Sequence, residues 1–119
     1  MSEEFKQIST SNGFMKHNGG ILFRTISENK YEFKTKINEN HLNNAKIAHG
    51  GFIAALIDAG VGTAAYRTSG ENACVTISLE LKFISQAKLD QELIGLAKVQ
   101  KKTKSLIFLT CELRTNDKI

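Results

Sequence analysis

Proline is absent from the 119 residues, so no rigid linker is signalled. Nor is there a repeat or a low-complexity tract. Cysteine is scarce. Cys74 and Cys111 lie in separate apolar segments and read as buried reduced thiols rather than as a disulfide or a reactive pair. Long hydrophobic runs are missing too. The longest is too short and too rich in glycine and alanine to cross a bilayer, which speaks against a membrane partner. The start, Met1-Ser2-Glu3-Glu4, has neither the basic region nor the apolar core of a signal peptide, so a cytoplasmic protein is expected. Of the three histidines, His17 and His41 read as surface residues. The three lack ligand spacing and no cysteine joins them, so a metal site is not expected. There is no nucleophile elbow, no glycine-rich phosphate loop after a strand and no helix-turn-helix signal.

What is present suits one soluble domain spanning 1–119, with about 1–20 as an N-terminal extension. The hydrophobic fraction is 41% and the charged fraction 24%, which are ordinary values. A chain this short buries a modest core, and a second copy would add to it. The net charge of +4 permits an anionic partner without naming one. Because the lysines mostly alternate with apolar residues, a solvated sheet face explains them, and nucleic acid is not expected as a partner.

The centre of the chain is His49-Gly50-Gly51-Phe52-Ile53-Ala54-Ala55-Leu56-Ile57-Asp58-Ala59-Gly60. It predicts a buried helix from about His49 to Tyr66. Asp58 is the one ionisable side chain between Phe52 and Ala65. A carboxylate there is costly unless it is paired, solvated by a cleft or used. Gly50-Gly51 leaves the first backbone N–H groups of the helix unobstructed, which favours negative charge. Asp58 lies about 13 Å along the helix from His49 at about 1.5 Å per residue. The two ends therefore cannot act on one atom within one chain. Two antiparallel copies side by side would bring them together.

Around this helix the pattern predicts strands. A short helix is expected through about Thr10, then strands at Ile21–Ile26 and Tyr31–Ile37, with Ser27-Glu28-Asn29 as the turn. In the second strand Tyr31, Phe33, Thr35 and Ile37 alternate with Glu32, Lys34 and Lys36, giving one buried and one wet face. Cys74–Ile84 reads as the clearest strand, with Val75, Ile77, Leu79, Leu81 and Phe83 on one face. Gln91–Val99 and Ser105–Arg114 follow, joined by a turn at Lys101–Lys104. Hairpin spacing favours an antiparallel sheet, an α+β fold with the helix on its inner face.

The chemistry this permits is acyl transfer. The Gly50 N–H can polarise a carbonyl oxygen. Asp58 from a second chain can serve as general base or nucleophile. Asn43 can hold water or the carbonyl, since an amide both donates and accepts. Each has a plainer alternative. Asp58 can be a structural carboxylate, Gly50-Gly51 close-packing glycines, His49 a helix-start residue and Asn43 a turn former.

Asn43-x5-His49-Gly50-Gly51-x6-Asp58 resembles the signature of the hotdog-fold thioesterases of the phenylacetic-acid-degradation (PaaI) and 4-hydroxybenzoyl-CoA thioesterase type, the PaaI-like branch above all. Val75-Thr76-Ile77-Ser78-Leu79 and Lys82-Phe83-Ile84-Ser85-Gln86-Ala87-Lys88-Leu89 extend the likeness. The resemblance implies an antiparallel sheet wrapped around one long central helix, homodimers and often tetramers, and hydrolysis of acyl-CoA thioesters without a cofactor. It implies Gly50 as the carbonyl-polarising residue, Asp58 of the partner chain as base or nucleophile, Asn43 as positioner, Thr76 as an aid to the water and His49 as an orienting residue. Gly51, Phe52, Lys46 and Lys82 are expected on the substrate side. Phe52, Leu56 and Tyr66 would border the acyl group, and Lys82, Lys98, Lys101, Lys102 and Lys104 would meet CoA phosphates or merely solubilise the sheet end. Two departures stand out. The family usually has glycine where this chain has Lys46, and commonly one more C-terminal strand. Competing readings are a non-catalytic acyl-CoA or acyl-carrier binder and an enoyl-CoA hydratase.

Overall fold

A computed structural model of the chain describes residues 3–116. Its elements run β1 (Lys6–Gln7), α1 (Phe14–His17), β2 (Leu22–Ser27), β3 (Lys30–Lys36), a 3₁₀ turn (Glu39–His41), α2 (Gly50–Thr68), β4 (Glu92–Lys102) and β5 (Ile107–Asn116). All five strands form one sheet in the order β1-β2-β3-β4-β5, and every pairing is antiparallel. This is the α+β arrangement expected from hairpin spacing, with α2 laid on the sheet. No helix among the described residues is long and apolar enough to cross a membrane.

The period-two reading of β3 explains the core. Tyr31, Phe33, Thr35 and Ile37 are all buried. They join Ile21, Phe23, Leu93 and Ala97 of the sheet and Phe52, Leu56 and Ala64 of α2. Phe33 is fully buried, and it rests in a notch made of two glycines. A Cβ on Gly60 of α2 would lie 2.5 Å from Phe33 Cγ, and one on Gly95 of β4 would lie 2.7 Å from Phe33 Cε1. Helix and sheet approach closely because neither carries a side chain there.

The far end of α2 is tied to the sheet by polar contacts. The hydroxyls of Tyr31 and Thr68 are 2.8 Å apart, and Lys102 Nζ donates to Thr68 O at 3.0 Å. Arg67 donates to Thr25 Oγ1 at 2.8 Å, pairs with Glu3, and covers the Phe23 ring. The Arg67 hydrogen bond holds the Glu3 carboxyl below the usual glutamate range. That contribution to stability is present above the ordinary glutamate pKa and is lost as pH falls through the lowered one.

Several expectations need correction. The helix expected through Thr10 is instead β1, whose Lys6 and Gln7 pair with Phe23 and Leu22. Gln7 Oε1 also accepts the Ile21 N–H at 2.8 Å, and the Phe5 ring lies under Arg24 and Lys34. These partners lie far away in sequence, so local pattern does not disclose them. Glu32, expected on the wet face, is buried between Arg24 and Arg114. The turn after β4 closes at Thr103–Leu106 rather than at Lys101–Lys104, through the Thr103 N–H to Leu106 O bond of 2.8 Å. Cys74 is exposed, not buried. Cys111 is half-buried, and burial pushes its thiol up to about 11; both are free.

The largest difference concerns Cys74–Ile84. This segment lies outside the sheet and is exposed almost throughout, with Val75 89% and Ile77 79% accessible. Its alternation is that of a strand. A strand also needs a neighbour to take its backbone hydrogen bonds, and among the described residues no strand pairs with it.

The loop before α2 holds Lys46 at φ 65°. The left-handed region suits glycine, which accounts for the glycine usual at this place in the resembling family. Two expectations follow. Gly95→Ala should lower the free energy of unfolding by about 1–3 kcal/mol, because the fully buried Phe33 ring must give way. An unchanged urea midpoint would show that the ring moves aside freely. Lys46→Gly should raise stability, by up to about 1 kcal/mol, by relieving the left-handed conformation. A lower midpoint in that variant would contradict the strain.

Candidate active site

The start of α2 is built from the loop leading into it. His49 is the N-cap, in extended conformation, and its Nδ1 accepts the Gly51 N–H at 2.8 Å. Nδ1 is therefore the acceptor, and in the neutral ring Nε2 carries the proton. The His49 carbonyl takes the Ile53 N–H at 3.1 Å. Gly50 then opens the helix with an N–H that has no protein partner among the described residues. This unclaimed donor lies at the positive end of a helix of 19 residues, where developing negative charge is stabilised.

Asn43 folds the loop beneath it. Its Oδ1 accepts the Ala45 N–H at 2.9 Å and the Ile47 N–H at 3.3 Å. The oxygen is thus engaged in the loop, and the amide nitrogen is the part of Asn43 left to donate to a ligand. The loop is closed by the Asn43 N–H to Ile47 O bond of 2.8 Å and fastened to the next segment by the Ala48 N–H to Ala87 O bond of 2.7 Å.

Asp58 lies two turns further on, on the exposed side of α2. The Thr76 hydroxyl donates to Asp58 Oδ1 at 2.6 Å, which orients the carboxylate and leaves Oδ2 for a proton. Segment 74–84 thus runs along α2 in the opposite direction. Thr76 meets Asp58 near the middle of the helix, and the Phe83 ring reaches its start, 3.7 Å from where a Cβ on Gly50 would lie.

One chain therefore assembles two separate groups: Asn43, His49, Gly50 and Gly51 at the helix start, and Asp58 with Thr76 further along. Gly50 and Asp58 are eight residues apart, or about 12 Å of helix. Of the remaining residues singled out from sequence, Lys46 and Lys82 are exposed. Phe52 and Leu56 are buried in the core, whereas Tyr66 is 42% accessible. Lys98, Lys101, Lys102 and Lys104 are exposed along the end of β4 and its turn.

Two residues beside the site escaped the sequence reading. Phe83 reads as a strand residue in the sequence, and nothing in the pattern ties it to Gly50. His41, expected at the surface, is 1% exposed, and its ring stacks on Phe52 at a centroid distance of 3.7 Å. A signal for it exists. Asn38 is followed three residues later by His41, and the two form a capping box around the 3₁₀ turn.

Comparison with known proteins agrees with this geometry. Human acyl-coenzyme A thioesterase 13 is 27% identical over 114 residues, which cover 95% of this chain and 81% of that protein. Thioesterase superfamily member 2 of zebra fish has a crystal structure that superposes with a TM-score of 0.80 at 23% identity, over 90% of this chain and 78% of that one. The PaaI protein of the Escherichia coli phenylacetic acid degradation operon superposes with a TM-score of 0.76 at 20% identity, over 84% and 70% of the two chains. The family model described as the thioesterase superfamily matches residues 45–119, a stretch that begins just before His49 and takes in more than half of the sequence. With the sheet-on-helix arrangement of those structures and that match over its own central helix, this chain belongs to the thioesterase superfamily, in the hotdog fold.

Proposed function

We propose that this chain hydrolyses acyl-CoA thioesters at a composite site formed by two copies. The observation that carries this reading is the unclaimed Gly50 N–H at the start of α2, with a Thr76-oriented Asp58 too far along the same helix to serve it. In an antiparallel pair of helices, Asp58 of one copy faces Gly50 of the other. The acyl group is of small to medium size, aliphatic or aryl. The Phe83 ring beside Gly50 gives it an apolar neighbour. Lys46, Lys82 and the lysines at the β4 turn are the cations available to CoA phosphates. The protein acts in the cytoplasm.

In this mechanism the thioester oxygen accepts the Gly50 N–H, which draws charge from the carbonyl carbon. Asn43 Nδ2 donates to the thioester or the water. Asp58 Oδ2 of the partner takes a proton as water attacks that carbon. The tetrahedral oxyanion gains the field of the helix start, the C–S bond breaks, and the thiolate departs to be protonated. His49 contributes by holding Gly51 and the first turn in place.

A second copy is supported by the exposed row Val75, Ile77, Leu79 and Phe83. An alternating apolar strand without a neighbour is a pairing edge, and pairing it to its own symmetry mate would give both chains the missing ladder. The same contact would set the two helices antiparallel. A homodimer is the minimal assembly, and a tetramer of two such dimers is compatible with it.

Asp58→Asn should leave the fold intact and reduce kcat for thiol release from acyl-CoA by about a hundredfold or more, the range for losing a general base. Wild-type turnover in this variant would remove Asp58 from the mechanism. Binding of acyl-CoA by wild type without thiol release would favour a carrier-type binder, and loss of enoyl-CoA absorbance would favour a hydratase. The composite site makes a further prediction. Mixing Asp58→Asn with Asn43→Ala chains by joint refolding should restore about a quarter of wild-type activity, since half of the dimers are mixed and each holds one intact site. Activity no higher than the mean of the two parents would place both groups in the same chain.

A further inference from the structure

His41 is the one histidine the fold buries, and the mechanism leaves it unused. Both ring nitrogens are engaged. Nδ1 accepts the Asn38 N–H at 3.0 Å, and the opposite nitrogen, Nε2, faces Asn18 O at 2.5 Å. An acceptor at Nδ1 and a carbonyl at Nε2 place the ring proton on Nε2. The ring plane lies 11° from that of Phe52, which is in the first turn of α2. The backbone of His41 faces the same way. Its carbonyl accepts the His49 N–H at 2.7 Å, and His49 is the N-cap. The ring thus fixes the residue to the loops at Asn18 and Asn38, while its carbonyl and its face hold the two ends of the segment 49–52. Asn43 follows two residues later on the same strand of loop, and the Leu42–Ala48 bridge closes that loop.

We propose that His41 is a positioning residue for the reaction: it sets the direction of the Gly50 N–H by clamping the N-cap and first turn of α2 to the sheet-side loops. This rests on the composite-site reading above. The oxyanion donor is a backbone group, and no side-chain rotamer can correct its aim. Its direction is inherited from the placement of residues 49–52, so the stack and the two hydrogen bonds of His41 stand in for the supporting contacts that a catalytic side chain would have.

The test compares His41→Phe, which keeps the ring on Phe52 and loses both polar contacts, with His41→Asn, whose Oδ1 can still accept the Asn38 N–H. Each is measured for kcat and KM on the best acyl-CoA substrate of wild type, and for amide hydrogen exchange along α2. In His41→Phe, kcat should fall by about tenfold or more with KM within about twofold, since a misaligned donor weakens the transition state more than the ground state. The Gly51 and Ile53 amides should exchange faster, while those of Gly60–Ala65 keep wild-type protection. His41→Asn should recover part of kcat and of the Gly51 protection. Unchanged kcat in both variants, or faster exchange spread evenly over α2, would overturn the proposal and leave His41 as core packing. If His41→Phe does not fold, His41→Asn decides alone: kcat and Gly51 exchange equal to wild type would overturn it, and a loss in both would support it. Should wild type release no thiol from any acyl-CoA, the proposed function fails by that result. The exchange pattern at the helix start then decides the clamp separately.

Discussion

The seating of Phe33 between Gly60 and Gly95 sets the distance between α2 and the sheet, and the rest of the molecule follows from it. A fully buried ring with no side chain above or below can occupy its place only if helix and strand stay close. Contacts at each end then prevent the helix from sliding or pivoting about that point. Tyr31, Arg67 and Lys102 hold the far end, and the His41 stack and carbonyl hold the near end. A helix restrained at three places is a rigid frame, and groups borne on it keep their mutual spacing.

That rigidity gives the functional site its form. The helix start offers a backbone donor, and the middle offers a carboxylate, with about two turns of helix between them. No local rearrangement can shorten the interval without breaking α2. The segment 74–84 lies across the same side of the helix, touching Asp58 through Thr76 and Gly50 through Phe83. Its exposed side is apolar, and it lies on the same side of the molecule as Gly50 and Asp58.

Much of this was legible before the structure. The alternation in Tyr31–Ile37 marked the buried face, because the side-chain period of a strand is visible in composition alone. The boundaries of α2 came out within two residues, since Gly50-Gly51 and the apolar run that follows are strong local signals. His49 at the helix start and Asn43 as a turn former in the loop before it followed from spacing. Other features were not legible. The pairing of β1 depends on Phe23 and Leu22, far along the chain. The burial of His41 depends on Asn18, Asn38 and Phe52, which come from three different elements.

The sequence by itself determined the elements, their order and the residue types at the helix start, because those depend on periodicity and on neighbours within a few positions. Only the tertiary structure decided that His41 lies inside while His17 lies outside, that the Gly51 N–H is taken while the Gly50 N–H is left over, and that Thr76 orients Asp58. It also decided that the most strand-like stretch of the chain, Cys74–Ile84, pairs with no strand among the described residues. A strand's pattern is a property of its residues, whereas its hydrogen bonds belong to whatever lies beside it.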